Sequence, residues 1–194
     1  MAFTVIDDFV GDYYQTLMEE LFSGIQWMYQ KDMDYSGNSE CDVRTHSQFM
    51  QPLFRDGNVI NPQVHFSLVP MIYKIMTHNI EPSNYYLSRS RAILHVPNTD
   101  KPKHFNPHVD EETEGCISAI YYVCDSDGDT ILFKESHDDV EVKDIDGHNF
   151  TEVDRVSPKK GRLVLFSAAE YHCGSPPSKS DRMLVNFNFE RLLA

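Results

Sequence analysis

Residues 116–134, CISAIYYVCDSDGDTILFK, contain the pattern that decides the fold class of this chain. Two short runs rich in Ile, Tyr, Val and Leu are separated by Asp, Ser and Gly. β-Branched and aromatic residues bounded by such turn formers are typical of β-strands in an antiparallel arrangement. The stretch therefore predicts two strands separated by a turn.

The same pattern recurs through the second half of the chain. Strand-like runs cover residues 85–96, 116–124, 129–134, 161–167 and 183–189. Many short strands at this spacing predict a closed or two-sheet antiparallel structure, a β-barrel or jelly roll.

The first part of the chain has a different character. Residues 13–29 and 66–76 carry apolar side chains at helical spacing, and we expect Pro70 to break the second helix. Residues 36–61 are polar and rich in Asn, Asp, Gly and Ser, which predicts a loop. The chain is therefore predicted to be one α+β domain over 1–194, mainly β, with a mostly helical support region at 1–84 and a β core at 85–194.

Composition limits the classes of partner. The 194 residues are 41% hydrophobic and carry a formal charge of -13, which disfavours nucleic acid because an acidic surface repels phosphate. No stretch has the apolar length of a membrane span, and the first ten residues do not resemble a secretory leader. The four cysteines form no C-x-x-C pair, so we expect reduced thiols and a cytoplasmic protein.

A histidine and an aspartate at i and i+2 form the first candidate metal motif. Two H-x-[DE] matches occur, His108-Val109-Asp110 and His137-Asp138-Asp139, and the second lies in an acidic loop. Side chains at i and i+2 of an extended strand share a face, so His108 and Asp110 are able to bind one ion. His172 follows a later strand, and Arg182 follows it by ten residues. Two imidazoles and one carboxylate form the facial triad of non-haem Fe(II) oxygenases, and an arginine offers a two-pronged donor to a carboxylate.

These motifs resemble a known family in their order and spacing. The resemblance runs from about Arg91 to the C-terminus, and it rests on H-V-D (108–110), C-I-S-A-I-Y-Y (116–122), G-D-T-I-L-F (128–133), K-K-G-R-L-V-L-F (159–166), His172 and Arg182. F-T-V-I-D-D-F-V (3–10) is also similar to the opening strand of that family. The chain resembles the prolyl-4-hydroxylase-like branch of the Fe(II)/2-oxoglutarate-dependent oxygenases.

The resemblance implies a fold, a reaction and roles for single residues. The fold would be a double-stranded β-helix, a jelly roll of cupin-like barrel shape with helices packed against one sheet. His108, Asp110 and His172 would hold Fe(II), and Arg182 with the Tyr122 hydroxyl would bind the distal carboxylate of 2-oxoglutarate. The reaction would be an O2-dependent hydroxylation of a peptide, protein or amino-acid substrate, with prolyl hydroxylation the default and ascorbate a candidate further cofactor. By strand alternation Asn186 shares the face of Arg182, which makes it a candidate donor near the cofactor.

Several readings stay open at this point. Tyr122 either contacts the cosubstrate or packs in the core. His95 either lines the pocket or lies in the core. Arg89 and Arg91 alternate on one strand, so they either recognise substrate or form structural ion pairs. Two other functions also remain: a cupin-type metal site with chemistry independent of 2-oxoglutarate, and a non-catalytic barrel used for interaction.

Overall fold

A computed structural model describes residues 3–31, 48–98, 104–141 and 148–192. In chain order the elements are β1 (Thr4–Ile6), α1 (Asp12–Ser23), β2 (Met28–Gln30), β3 (Gln48–Arg55), β4 (Asn58–Val59), α2 (Pro62–His78), β5 (Tyr85–His95), β6 (Ile117–Tyr122), β7 (Thr130–Ser136), β8 (Glu152–Val156), β9 (Leu163–Ser167), β10 (Glu170–Gly174) and β11 (Arg182–Arg191). Every strand pair among these elements is antiparallel. The prediction of a mainly β chain with N-terminal helices is confirmed.

The strands form two sheets. The larger has the order β1-β9-β6-β11-β5-β3-β2, with β4 paired to β3, and the smaller has the order β10-β7-β8. Apolar side chains of the two sheets meet in one buried cluster, in which Leu132 and Val156 of the smaller sheet pack with Ile120, Val164 and Leu184 of the larger. The sheets therefore face each other across a shared interior.

Strand β11 shows how the larger sheet separates its two faces. Met183, Val185, Phe187 and Phe189 belong to the core shared with the helices. The alternate residues point into the space between the sheets, and they are Arg182, Leu184, Asn186 and Asn188. All four are nearly inaccessible to solvent. Both faces of this strand are covered, and buried strand positions are usually apolar. The three polar side chains on its inner face therefore need an explanation.

The two helices cover the outer face of the larger sheet. Helix α1 buries Gln15, Met18 and Phe22, and it ends at Ser23, where the Gly24 amide bonds the Leu21 carbonyl. The predicted helix over 13–29 is thus too long, because residues 28–30 pair with β3 instead.

Helix α2 passes through Pro70 without a break, contrary to our expectation. The Asn61 side chain accepts a hydrogen bond from the Val64 amide and begins the helix. Pro70 lies on the exposed side. The opposite face buries Leu68, Met71 and Ile75 completely, and this burial offsets the roughly 3 kcal/mol that an interior proline costs. Neither helix in the described residues is long and apolar enough to cross a membrane.

The N-terminal region contains more strand than predicted. Its described part holds β1, β2, β3 and β4 besides the two helices, so "mostly helical" was too simple. The predicted loop over 36–61 is wrong for residues 48–55 and 58–59, and its first part, with Cys41, lies outside the described residues. β3 is recognisable only through its partners, because its register shifts beside Pro52 and burial does not alternate along it.

Two strands of the second half were also missed. β8 is exposed at four of its five positions and lies at one edge of the smaller sheet, where charged residues are common. β10 includes Glu170 and Tyr171, which the sequence presented as a link after β9. β10 belongs to the other sheet, so the chain changes sheets at residues 168–169.

Candidate metal centre

His108 and His172 are held side by side by backbone hydrogen bonds. The His108 amide donates to the His172 carbonyl at 3.0 Å, and the His172 amide donates back at 2.9 Å. Asp110 is fixed by its amide, which donates to the Ala168 carbonyl at 2.9 Å. His108 makes a single bridge and Asp110 lies in a bend, so the two are not on one regular strand as the i, i+2 argument assumed. Strand β10 and the preceding Ala168 supply the alignment instead.

The structure brings the three predicted ligands together. Ligand atoms of His108, Asp110 and His172 all lie within 4.8 Å of one another. The His172 Nε2 is 3.6 Å from the Asp110 Oδ2. No other group of three such side chains occurs in the described ranges. The rival motif at His137 does not belong to this group of ligands. The His137 Nε2 lies 3.7 Å from the Glu112 Oε2 instead.

Both histidines present Nε2 to the centre. The His108 Nδ1 lies 3.3 Å from the Asn106 carbonyl, and the His172 Nδ1 lies 3.1 Å from the Glu170 carbonyl. A carbonyl only accepts, so each Nδ1 carries the hydrogen and each Nε2 keeps a free lone pair. Burial, with the neighbouring His172, lowers the pKa of His108 to about 3, and burial lowers the pKa of His172. Both rings are therefore neutral, which is the form that binds a metal.

Asp110 is a buried carboxylate held by cations. Its Oδ1 lies 3.2 Å from Arg91 and 3.6 Å from Arg89, and only 1% of its side chain is exposed. Burial opposes its ionisation, but the neighbouring groups, of which Arg91 and Arg89 are permanent cations, outweigh burial and hold the pKa of Asp110 far below its usual range. The centre thus contains a permanent negative charge. Arg89 and Arg91 form structural ion pairs here, one of the two readings left open by the sequence.

The other oxygen of Asp110 accepts two hydrogen bonds. The Ser118 hydroxyl donates to Oδ2 at 2.7 Å and the Asn186 Nδ2 donates at 2.9 Å. Asn188 donates in turn to the Ser118 hydroxyl at 3.0 Å. Asn186 therefore contacts the carboxylate of the metal site rather than the Arg182 group. Ser118 and Asn188 were not predicted, and only the register between β6 and β11 pairs them.

A second polar group surrounds Arg182. Its Nε donates to the Gly128 carbonyl at 2.6 Å, and its Nη2 donates to the Thr130 hydroxyl at 2.7 Å. The Tyr122 hydroxyl donates to the same Thr130 oxygen at 2.6 Å, and the guanidinium lies 5.9 Å from the centre of the Tyr122 ring. The fourth neighbour is His95, with its Nδ1 at 3.4 Å from Nη1. Tyr122 faces inward, beside Arg182, whereas Tyr121 packs in the core shared with the helices.

Arg182 is buried without an ion-pair partner among the described residues. It is 3% exposed, and no ion pair joins it to a carboxylate within the part of the chain that the structure describes. An unpaired buried charge is strongly unfavourable, so this position is suited to an anionic ligand. The sequence did not predict the roles of Thr130 and Gly128, because a single Thr and a single Gly in a turn carry no local signal of this contact.

The two polar groups lie in one interior. Arg182 and Asn186 are four residues apart on β11, about 13 Å at roughly 3.3 Å per residue. Between them lies Leu184, paired with Ile93 on one side and Tyr122 on the other. An apolar row thus separates a metal-binding end from an anion-binding end. Two neutral imidazoles and a carboxylate fit Fe(II), and the buried guanidinium fits the far carboxylate of a keto acid chelated to it.

Known structures share this architecture at low sequence identity. A Pseudomonas putida prolyl-4-hydroxylase has a TM-score of 0.59 at 14% identity, with 98% of this chain and 92% of that chain covered. HygX from Streptomyces hygroscopicus, solved with nickel, 2-oxoglutarate and hygromycin B, has a TM-score of 0.65 at 12% identity, with coverage of 96% and 82%. The non-heme alpha ketoglutarate dependent epimerase SnoN from nogalamycin biosynthesis has a TM-score of 0.65 at 10% identity, with coverage of 97% and 77%. These likenesses confirm the predicted double-stranded β-helix.

The family follows from the sequence itself. No curated protein sequence matches the chain significantly. The family model described as "2OG-Fe(II) oxygenase superfamily" matches residues 94–190, half of the 194-residue chain. This chain therefore belongs to the 2OG-Fe(II) oxygenase superfamily, and it is an oxygenase that uses Fe(II) and 2-oxoglutarate.

Proposed function

We propose that this oxygenase is a hydroxylase whose iron is held by His108, Asp110 and His172. Its substrate would be a peptidyl residue of the prolyl type or a free amino acid. In such a reaction one C–H becomes C–OH, one O2 and one 2-oxoglutarate are consumed, and succinate and CO2 are released. The fold likeness to the Pseudomonas putida prolyl-4-hydroxylase, over 92% of that chain, supports this reaction class.

The buried Arg182 guanidinium is the observation that carries the proposal. Its direct partners are the Gly128 carbonyl, the Thr130 hydroxyl and the His95 ring, all of them uncharged or neutral. A carboxylate bound here would accept two charge-assisted hydrogen bonds and remove the cost of the isolated charge. We propose that Arg182, assisted by the Tyr122 hydroxyl, binds the distal carboxylate of 2-oxoglutarate.

The side chains around the metal site position and protect it. When bound, Fe(II) and 2-oxoglutarate supply the oxidising chemistry that protein side chains lack. Asn186 and Ser118 orient the Asp110 carboxylate, and we keep Asn186 among the site residues in this positioning role. The Phe166 ring packs against His172 with centroids 4.6 Å apart, so apolar surface limits water next to that ligand.

A binding titration tests the class of enzyme. Adding 2-oxoglutarate to the Fe(II) protein under nitrogen should produce a weak visible charge-transfer band that saturates with concentration. Absence of the band would show that Arg182 and the three ligands do not form a 2-oxoglutarate site. It would favour a non-catalytic barrel or a cupin-type metal site.

A turnover screen tests the hydroxylase assignment. Peptides containing proline and free amino acids should be supplied with 2-oxoglutarate and O2, with and without ascorbate. Succinate formed in proportion to a product 16 Da heavier supports hydroxylation. Because SnoN is an epimerase on a similar fold, succinate formation with an isomeric product of unchanged mass would contradict it.

We also propose a cytoplasmic location. The three described cysteines, Cys116, Cys124 and Cys173, are free. Free thiols are the usual state in a reducing compartment. Fractionation of cells that produce the protein would test this location.

A further inference from the structure

His95 is a buried histidine that the proposed function has not used. It ends β5 and lies directly opposite Arg182 in the β5–β11 ladder. Its side chain stacks on Phe105 with ring centroids 4.8 Å apart, and the residue is only 5% exposed. Its Nε2 is buried and has no hydrogen-bond partner among the residues that the structure describes. Buried polar atoms without partners are rare, so this atom calls for a ligand.

The contact with Arg182 determines which ring nitrogen carries the hydrogen. The His95 Nδ1 lies 3.4 Å from the Arg182 Nη1. A guanidinium has only donors, so Nδ1 accepts and the hydrogen is on Nε2. Burial, with the charge of Arg182, holds the pKa of His95 well below its usual value, and the ring is neutral. The unpartnered atom is therefore an N–H donor beside a guanidinium that has no carboxylate partner among the described residues.

We propose that the His95 Nε2–H donates a hydrogen bond to the same 2-oxoglutarate carboxylate that pairs with Arg182. The inference rests on the proposed function, and it adds His95 as a specificity-determining residue for a keto acid with a second carboxylate. A carboxylate at this position accepts from the imidazole and the guanidinium together. The Nδ1 contact also fixes one end of the guanidinium, which orients its remaining donors.

Three variants separate the donor from the shape of the ring. A glutamine amide nitrogen reaches the position of Nε2, whereas an asparagine amide nitrogen reaches only that of Nδ1. His95→Gln therefore keeps a donor at the proposed position. His95→Asn carries the same amide group but places no donor there, and His95→Leu removes all polar atoms of the side chain. The thermal midpoint and the Fe(II) content of each variant establish that it is folded.

The assay measures Kd in the Fe(II) protein under nitrogen, from the charge-transfer band, for two ligands. One is 2-oxoglutarate, and the other is 2-oxopentanoate, which lacks the distal carboxylate. We expect His95→Asn and His95→Leu to raise the Kd of 2-oxoglutarate about tenfold to a hundredfold, as for a lost hydrogen bond to a charged group. His95→Gln should stay within about threefold of the wild type, and none of the three should change the Kd of 2-oxopentanoate by more than about threefold.

The outcomes distinguish this inference from the function on which it rests. If the wild-type protein does not bind 2-oxoglutarate, both fail. If Arg182→Met weakens 2-oxoglutarate but His95→Asn and His95→Leu do not, only the role of His95 is overturned. If the His95 variants weaken the binding of both keto acids equally, His95 has a structural role and the proposal is overturned. It is also overturned if His95→Gln binds 2-oxoglutarate as weakly as His95→Asn does.

Discussion

Replacing Arg182 by Met tests the anion-binding end of the interior most directly. The substitution keeps a long side chain but removes the buried cation, whose residue is 3% exposed. The 2-oxoglutarate carboxylate would then enter the barrel without a counter-charge. Loss of one partner of a buried charged pair costs on the order of 2–5 kcal/mol, so Kd should rise roughly 30-fold to a few thousandfold.

The same substitution should remove a thermal signature. At a concentration of 100 times Kd, 2-oxoglutarate stabilises the wild-type Fe(II) protein by about 2.7 kcal/mol. For a chain of this length that raises the Tm by roughly 5–11 °C. At the same concentration a 30-fold higher Kd leaves about 0.9 kcal/mol of stabilisation, and a larger increase leaves less. Arg182→Met should therefore show at most about a third of that rise, and its iron content should be unchanged.

Arg55→Met is the matched control, because the Arg55 side chain is 69% exposed and pairs only with its neighbour Asp56 among the described contacts. It should leave both Kd and the ligand-induced rise in Tm unchanged. A Kd for Arg182→Met within threefold of the wild type would refute our reasoning about the buried charge.

Four further predictions concern the rest of the interior. His172→Ala should lower Fe(II) affinity more than about a hundredfold by metal analysis after dialysis, whereas the exposed His78→Ala should not; iron retained in full contradicts the triad. Asn186→Ala removes the 2.9 Å bond to Asp110 and should weaken Fe(II) about 10–100-fold, compared with no change for the exposed Asn58→Ala. Gly128→Ala would place a Cβ 2.7 Å from the Ser175 carbonyl oxygen and 2.9 Å from the Arg182 Cδ, so the free energy of unfolding should fall by about 1–3 kcal/mol in denaturant titrations; an unchanged value excludes this close approach. In metal-free protein His108 has a pKa of about 3 whereas an unfolded histidine has about 6.5, so between these values the unfolded chain binds the extra proton and stability falls with falling pH. His108→Gln should flatten that slope by up to about 1.4 kcal/mol per pH unit, and an unaltered slope contradicts the lowered pKa.

The local residue pattern was sufficient for much of the fold. The runs that became β5, β6, β7, β9 and β11 are rich in β-branched and aromatic residues and end at turn formers, so propensity and tertiary structure agree there. β3, β8 and β10 were missed because their stability comes from neighbours rather than from their own composition. β8, for example, is charged and exposed, and it is a strand only because β7 offers an edge.

The residue types and spacing of His108, Asp110 and His172 were enough to predict that these three side chains would meet, since few donor sets suit Fe(II). The binding of a keto acid by Arg182 stays a prediction. Tertiary structure alone decided how these side chains meet. The shift from β9 to β10 between sheets puts His172 beside His108, and the strand register puts His95 opposite Arg182 and Arg91 near Asp110. The physical reason is that a side chain's partner across a sheet is set by hydrogen-bond register between distant segments, which no local pattern encodes.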